Sequence, residues 1–511
     1  MSPRFRAIFF VWCAACIRLS GGTPAPPAVA PGAFSYAHVI AEARTLAGAA
    51  YMPERERVPR FYLELFAEQF REIRFRRERS IWEGTDSPWR VSLLHPGLFF
   101  NRVARVFVVE AGAAREIVYD TSRFSFGKLP SYPGEKPVGH AGFGLRSAEN
   151  AGEEFVLFGG GAYFRGIPVG VGAMHGVSAR GIVVNPAVEG HSEEFPFFKK
   201  YWVERQASGA AQAVVYALMD SPHVCGAFRF VISPGRVSVV EVDAVLFARE
   251  RMRRLGLAPL SAMFWYGENS LRRPEDYRPE VHSADGLLVV DAGGRAWWRP
   301  LSNGGAGVRR SVFAVDRLAG FGLRQRDTAF GSYQDLEGAF HRRPGVWVEP
   351  LEGCPPGAVH LLEYPTSQDA WDNVVCYWEP KVLPAPGAKL HLRYRVSWAM
   401  EDSFRGVPGG LARVLSTHVG RRGGEGRVLN YVVDFSPVAS AGAPPVARVR
   451  VSGGGRLLGH RLALNPETHG WRLWVEVGLS GAGPHGVSAV LRSGEREVSE
   501  VWDYLSPAEQ R

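Results

Sequence analysis

Between Leu257 and Pro300 the sequence crowds rings, carboxylates and guanidinium groups into a short span. Tyr266-Gly267-Glu268-Asn269 is followed by Asp276-Tyr277-Arg278-Pro279-Glu280-Val281-His282 and then by Trp297-Trp298-Arg299-Pro300. That mixture suits a carbohydrate cleft. Flat rings cover the apolar faces of pyranoses, while carboxylates and guanidiniums pair with ring hydroxyls through oriented, charge-assisted hydrogen bonds. On this reading Tyr266, Glu268, Asp276, Arg278, Glu280, His282, Trp297, Trp298, Arg299 and, further along, Trp347 line sugar subsites. Any one of these rings would fit the core of a large sandwich equally well, so it is their clustering that points to a site.

A second chemical signal is Asp369-Ala370-Trp371-Asp372-Asn373-Val374-Val375. Asp372 stands at the mouth of an apolar strand, where partial burial would raise its pKa and make it a proton donor. The plainer account of the same residue is a turn aspartate capping the strand entry.

The elements that would position these residues are mostly strands. Runs such as 106–109, 154–158, 214–218, 228–232 and 237–242 are short, β-branched or aromatic, and bounded by turn residues. The 59 glycines and 36 prolines are spread between such runs, so many turns join many strands. Strand follows strand without helical patterns between, which argues against a βαβ sheet. Two helices are expected near the start, at 34–47 and 61–77, because Leu63, Phe66, Phe70 and Ile73 recur at helical spacing. The proline-rich stretch 380–387 reads as a connector. The fold class is therefore all-β with few helices: a large N-terminal β-sandwich over 34–380 and a smaller immunoglobulin-like sandwich over 388–511.

A net charge of +9 could invite nucleic acid, but arginines are scattered and no basic stripe alternates with aromatics, so nucleic acid is not expected as a partner. Arg4 and Arg6, the apolar stretch 7–17 and the small residues through Ala30 follow the plan of a secretory signal over 1–30. The apolar stretch is about half the roughly 20 residues a membrane-spanning helix needs, so no stable anchor is expected. Beyond Cys13 and Cys16, the cysteines Cys225, Cys354 and Cys376 match no zinc spacing, and no metal or cofactor is implied. A Cys354–Cys376 bridge and a pair of inert thiols both remain open.

These segments, together with Gly161-Ala162-Tyr163-Phe164-Arg165, Gly176-Val177-Ser178-Ala179-Arg180-Gly181, Glu193-Glu194-Phe195-Pro196 and Asn465-Pro466-Glu467-Thr468-His469-Gly470-Trp471-Arg472, resemble the osmoregulated periplasmic glucan biosynthesis proteins G and D over nearly the whole mature chain. The resemblance implies a galactose mutarotase-like N-terminal sandwich, a periplasmic location and a role in making β-1,2-linked glucans, with β-glucan polysaccharide and a membrane glucan synthase as partners. Some relatives are regarded as inverting endo-β-1,2-glucanases whose acid is the Asp of an Asp-Asn-Ile/Val-Val motif, matched here by Asp372. Their base is the first Asp of His-Asp-Ser-Asp/Asn-Gly, where this chain has His282-Ser283-Ala284-Asp285-Gly286. Ser283 cannot act as a carboxylate base. Asp285 lies two residues on, on the same face of an extended segment, and is the candidate replacement, with the neighbouring Asp276 and Glu280 as alternatives, although its place before Gly286 also fits a turn. The readings are thus a glucan-cleaving or glucan-transferring enzyme, a non-catalytic glucan-binding factor using the same cleft, and a mutarotase-like epimerase built on His175, His282 and Glu268.

Overall fold

Alternation of apolar and polar residues buries one face of a pleated strand and leaves the other polar, and the expected strands form where that alternation occurs. The computed structural model describes residues 33–53, 58–129, 139–149, 153–171, 176–303, 307–404, 409–422, 428–438, 444–481 and 483–506. The expected secretory leader, with Cys13 and Cys16, lies outside the described residues. Among those described, strand dominates and helix is sparse.

Two sheets face each other across one core. The small sheet runs, neighbour to neighbour, through Trp89–Leu94, Gly142–Ser147, Glu154–Gly159, Tyr163–Gly166, Ser178–Arg180, Leu255–Ala262, Val374–Pro380, Gly357–Glu363 and Arg309–Val315. The large sheet opposes it with Arg105–Glu110, Phe197–Glu204, Ala213–Asp220, Val224–Ser233, Ser238–Ala248, Lys389–Ala399, Gly345–Glu352, Leu318–Arg324, Gly286–Asp291 and Ala296–Pro300. Phe143, Phe158, Phe164, Phe230, Leu260, Cys376 and Trp398 interdigitate between them. The helix Tyr36–Ala47 lies on the other side of the large sheet, anchored by the Tyr36 hydroxyl, which donates to the Ala227 and Asp243 carbonyls at 2.9 and 2.8 Å.

The boundary expected at 380–387 falls one strand early. Lys389–Ala399 pairs along its length with Ser238–Ala248 and with Gly345–Glu352, and Val396 and Trp398 belong to the first core. Nor is the C-terminal part a closed module. Val501–Ser506 pairs in parallel with Ala296–Pro300 and carries the large sheet on into His485–Ser493 and Val446–Gly453. A separate sheet of Val414–Arg422, Val428–Phe435, Gly470–Leu479 and Gly455–Asn465 packs over this extension. The second core mixes Tyr431, Val475 and Trp502 with Leu288, Trp298 and Trp347 of the first part.

The second expected helix is broken. Only Arg60–Leu63 and Ala67–Phe70 are helical, and Arg74–Phe75 pairs instead with Phe124–Ser125. The Tyr62 carbonyl that a continuing helix would use accepts the Leu98 N–H at 2.8 Å, and the Gln69 side chain caps the Phe66 N–H at 2.8 Å. Tertiary contacts of Tyr62 and Leu65 with Val58 and Val103 outweigh the local period. Cys225, Cys354 and Cys376 are all free thiols, Cys354 exposed and Cys376 sealed in the first core, so the Cys354–Cys376 bridge is not formed. Among the described residues no helix is long and apolar enough to cross a membrane.

Candidate functional site

The small sheet turns one face to the core and the other outward, and the outward face carries a polar patch beside a small apolar cluster of Val183, Leu362 and Tyr377. Ser178 stands directly opposite Ser261, and Tyr163 opposite Arg180. Opposed residues share a face, as do residues two apart, so these four side chains form one patch. Their neighbours Phe164, Ala179, Leu260 and Ala262 point into the core.

Asp372 joins this patch because Asn373 fastens the chain beside it. The Asn373 side chain accepts the Phe264 N–H at 2.8 Å and donates to the Phe264 and Tyr364 carbonyls at 3.0 and 2.9 Å. Asp372 is then exposed, with Ser261 Oγ donating to its Oδ2 at 2.8 Å and Ser178 Oγ 2.8 Å behind Ser261. One carboxylate oxygen is held, and among the described residues the other has no hydrogen-bond partner. The charges acting on the Arg180 guanidinium are those of Asp372, Tyr163 and Glu193, and burial holds the Arg180 pKa below its ordinary value. Trp371 and Phe99 are 51% and 63% exposed beside Asp372, packed edge to face at 5.0 Å between ring centres. Two open rings next to a presented carboxylate make a surface for the apolar face of a sugar.

A guanidinium cluster flanks the patch. Arg278 pairs with Asp276 at 2.7 Å, Asp335 at 3.1 Å and Asp369 at 2.8 Å, and the Arg278 hydrogen bond holds the Asp276 pKa down at about 2. Arg343 lies within the field of Asp335, Asp372 and Asp369, and its guanidinium covers the Phe340 ring at 3.8 Å. Glu193 and Phe195 border a neighbouring cavity of about 800 Å³, along with Arg102, Arg251, Arg253 and His223.

Of the residues expected from sequence, Asp372 is at this outer face and Asp276 and Arg278 are at its flank. The others lie elsewhere. Trp298 and Trp347 are each 4% exposed in the second core, where a Cβ on Gly286 or Gly320 would collide with the Trp298 or Trp347 indole. Trp298 carries the Arg326 guanidinium 3.6 Å above its ring. Trp297 is half-buried against the first core under Arg295. Arg299 is spent on Ser311 and on an ion pair with Asp503. Tyr266 is buried with Met263, Tyr333 and Phe340, its hydroxyl donating to the Arg278 carbonyl at 3.1 Å. In this structure these side chains pack and join protein elements, Trp297 keeping part of its ring exposed.

Glu268, Glu280, His282 and Asp285 form a second cluster at the junction with the C-terminal sheet, Glu280 and His282 buried and Glu268 and Asp285 half-buried. His282 is fully buried between Gln325 at 3.0 Å and Glu280 at 2.9 Å, and Glu268 accepts the Thr417 N–H at 3.2 Å. Burial, with the nearby Glu280 charge, pushes Glu268 up to about 8. Burial works against charge on His282, yet its hydrogen bond and ion pair with Glu280 hold its pKa above the ordinary value. Burial also lifts Asp285 to about 6, and its Oδ2 accepts the Arg326 and Asp327 N–H groups at 2.8 and 2.9 Å. Asp285 is therefore the turn residue rather than a partner of Asp372. Ligand atoms of Glu268, Glu280 and His282 lie within 4.8 Å of one another, a spacing a metal ion could use, but both His282 nitrogens are already bonded to protein groups. A fully buried His282 cannot face a hexose as an epimerase acid, and His175 lies outside the described residues.

Ser178, Arg180, Ser261, Tyr364, Glu193 and the Trp371–Phe99 pair are absent from the sequence-derived site. Their signal was available in part: Ser178 and Arg180 interrupt apolar strands at alternate positions, the mark of a polar outer face.

Comparison with known proteins gives a consistent result. A family profile described as "Periplasmic glucan biosynthesis protein, MdoG" matches residues 34–506. Glucans biosynthesis protein G of Ralstonia nicotianae is 36% identical over 489 residues, covering 93% of this chain and 96% of the relative. The protein of the same name from Rhodopseudomonas palustris is 36% identical over 483 residues, 93% of each chain. That of Pectobacterium atrosepticum is 33% identical over 518 residues, 98% of this chain and 97% of the relative.

Proposed function

The chain belongs to the MdoG family of periplasmic glucan biosynthesis proteins, and on that premise we propose that it works in the periplasm on β-1,2-linked glucan backbones. It grips the polymer on the outer face of the small sheet and cleaves it by inverting hydrolysis, with Asp372 as proton donor. The observation that carries this reading is the presented Asp372 carboxylate: one oxygen is held by Ser261, and open rings stand beside it. A general acid needs that arrangement, a fixed carboxyl within reach of a glycosidic oxygen and a surface that sets the sugar against it.

A second reading rests on a specific observation. Ser283 stands where related sequences carry the base, and its hydroxyl is tied to the Met263 main chain. A protein with the acid but no base would bind nascent glucan and guide it from a membrane synthase without cutting it. Incubation with linear β-1,2-glucan, followed by chain-length analysis, separates the two. Shortening that disappears in Asp372→Asn supports the enzyme, and binding by both forms without shortening supports the guide. Should neither form bind the polymer, both readings fail.

A further inference from the structure

Inverting hydrolysis needs a second carboxylate to take a proton from the attacking water, on the far side of the sugar from the acid. Ser283 cannot supply it, and Asp285 is engaged with main-chain N–H groups at the junction. Other carboxylates near Asp372 are also engaged: Asp335 and Asp369 by Arg278, and, on the cavity side, Glu194 by His223 at 2.5 Å and Asp220 by Arg249 at 2.9 Å.

Glu193 differs from the ion-paired carboxylates, and from Asp285, whose Oδ1 likewise has no hydrogen-bond partner, in standing on a cavity wall. Among the described residues it forms no ion pair, and its Oε1 is buried without a hydrogen-bond partner. Its Oε2 accepts the Tyr364 hydroxyl at 3.5 Å. Tyr364 is in turn bonded through its main chain to Asn373, the residue after Asp372, with the Tyr364 N–H reaching the Asn373 carbonyl at 2.8 Å. Arg180 feels both Asp372 and Glu193, so one guanidinium stands in the field of the two carboxylates. Glu193 also lies on the wall of the cavity of about 800 Å³, which has room for water and sugar units. Burial holds the Glu193 pKa above the ordinary glutamate value, which makes its carboxylate a stronger proton acceptor.

We propose that Glu193 is the second carboxylate of the glucan site and acts as its general base. The assignment rests on the hydrolytic reading above. The water oxygen bonds to the anomeric carbon as its proton passes to Glu193. The bond from that carbon to the glycosidic oxygen breaks, and the departing oxygen takes the proton of Asp372. Glu193 then releases a proton to solvent and Asp372 regains one, which restores the starting state.

The test uses the full chain with linear β-1,2-glucan, comparing the parent with Glu193→Gln, Glu193→Ala and Asp372→Asn, each checked for an unchanged melting temperature. The expected result is a fall in kcat of about 10²–10⁴-fold for Glu193→Gln with KM nearly unchanged, and loss of the acidic limb of the pH profile. Azide should restore turnover to Glu193→Ala by forming an inverted glycosyl azide. A Glu193→Gln protein within about fivefold of the parent, beside an inactive Asp372→Asn, overturns the base assignment and leaves glucan hydrolysis standing. A parent that binds glucan without shortening it overturns the base and the hydrolysis together, and leaves only binding.

Discussion

Two polar regions of this chain draw on the same residue types and put them to opposite uses. On the outer face of the small sheet, Asp372 and the exposed Trp371 leave hydrogen-bonding capacity and ring surface open. At the junction with the C-terminal sheet, the same residue types are bonded mainly to protein groups: His282 is bonded at both nitrogens, and Arg326 binds Glu500 through two nitrogens at 2.8 and 2.7 Å. Burial decides between these uses. An enclosed charge must be paired or it is costly, so a junction of this kind consumes its own polar groups. A solvated face can hold a carboxylate by one oxygen and keep the other for a ligand.

The comparison predicts that substitutions in the two regions separate activity from stability. The largest effect is expected for Asp372→Asn, which should lower glucan cleavage by about 10²–10⁴-fold while the melting temperature stays within the error of the parent's. Equal losses of activity and stability in that variant would erase the distinction. Trp298→Ala should do the reverse, costing about 3–5 kcal/mol in denaturant unfolding because it opens a void in the second core beneath Arg326.

The junction should also respond to pH. Glu268 keeps its proton up to about pH 8 in the folded chain, whereas the unfolded chain loses it near 4.5. The stability from that retained proton is full below about 4.5 and drains away as pH climbs to 8. His282, raised above its ordinary 6.5, loses its contribution in the same upward direction. Melting measured from pH 5 to 8 should therefore decline, and Glu268→Gln should flatten the decline by up to about 1.4 kcal/mol per pH unit. A slope identical to that of the parent would show that Glu268 does not retain its proton in the folded chain. The smallest effect is expected for Trp371→Ala, which should weaken glucan binding by about five- to tenfold and change stability by no more than about 0.5 kcal/mol.

The all-β character was legible because period-two alternation is a local property, visible in runs such as Phe228 to Ile232 without knowledge of their partners. The helix Tyr36–Ala47 was legible for the same reason. The helix expected at 61–77 was not, since the Leu98 N–H that takes the Tyr62 carbonyl comes from a distant part of the chain. The site was legible at Asp372, where a motif carried it, and illegible at Ser261 and Arg180, which become neighbours of Asp372 only through the pairing of three strands.

What the sequence determined by itself is a β-rich chain of the MdoG family with one distinctive aspartate, because family motifs and strand periodicity are both written residue by residue. Which aromatic and acidic residues face solvent was decided only by the tertiary structure. The tryptophans of the 257–300 cluster and the Glu268–Asp285 carboxylates are chemically suited to a sugar. The docking of the C-terminal sheet encloses most of them, and an enclosed ring or carboxylate meets protein partners instead of a ligand.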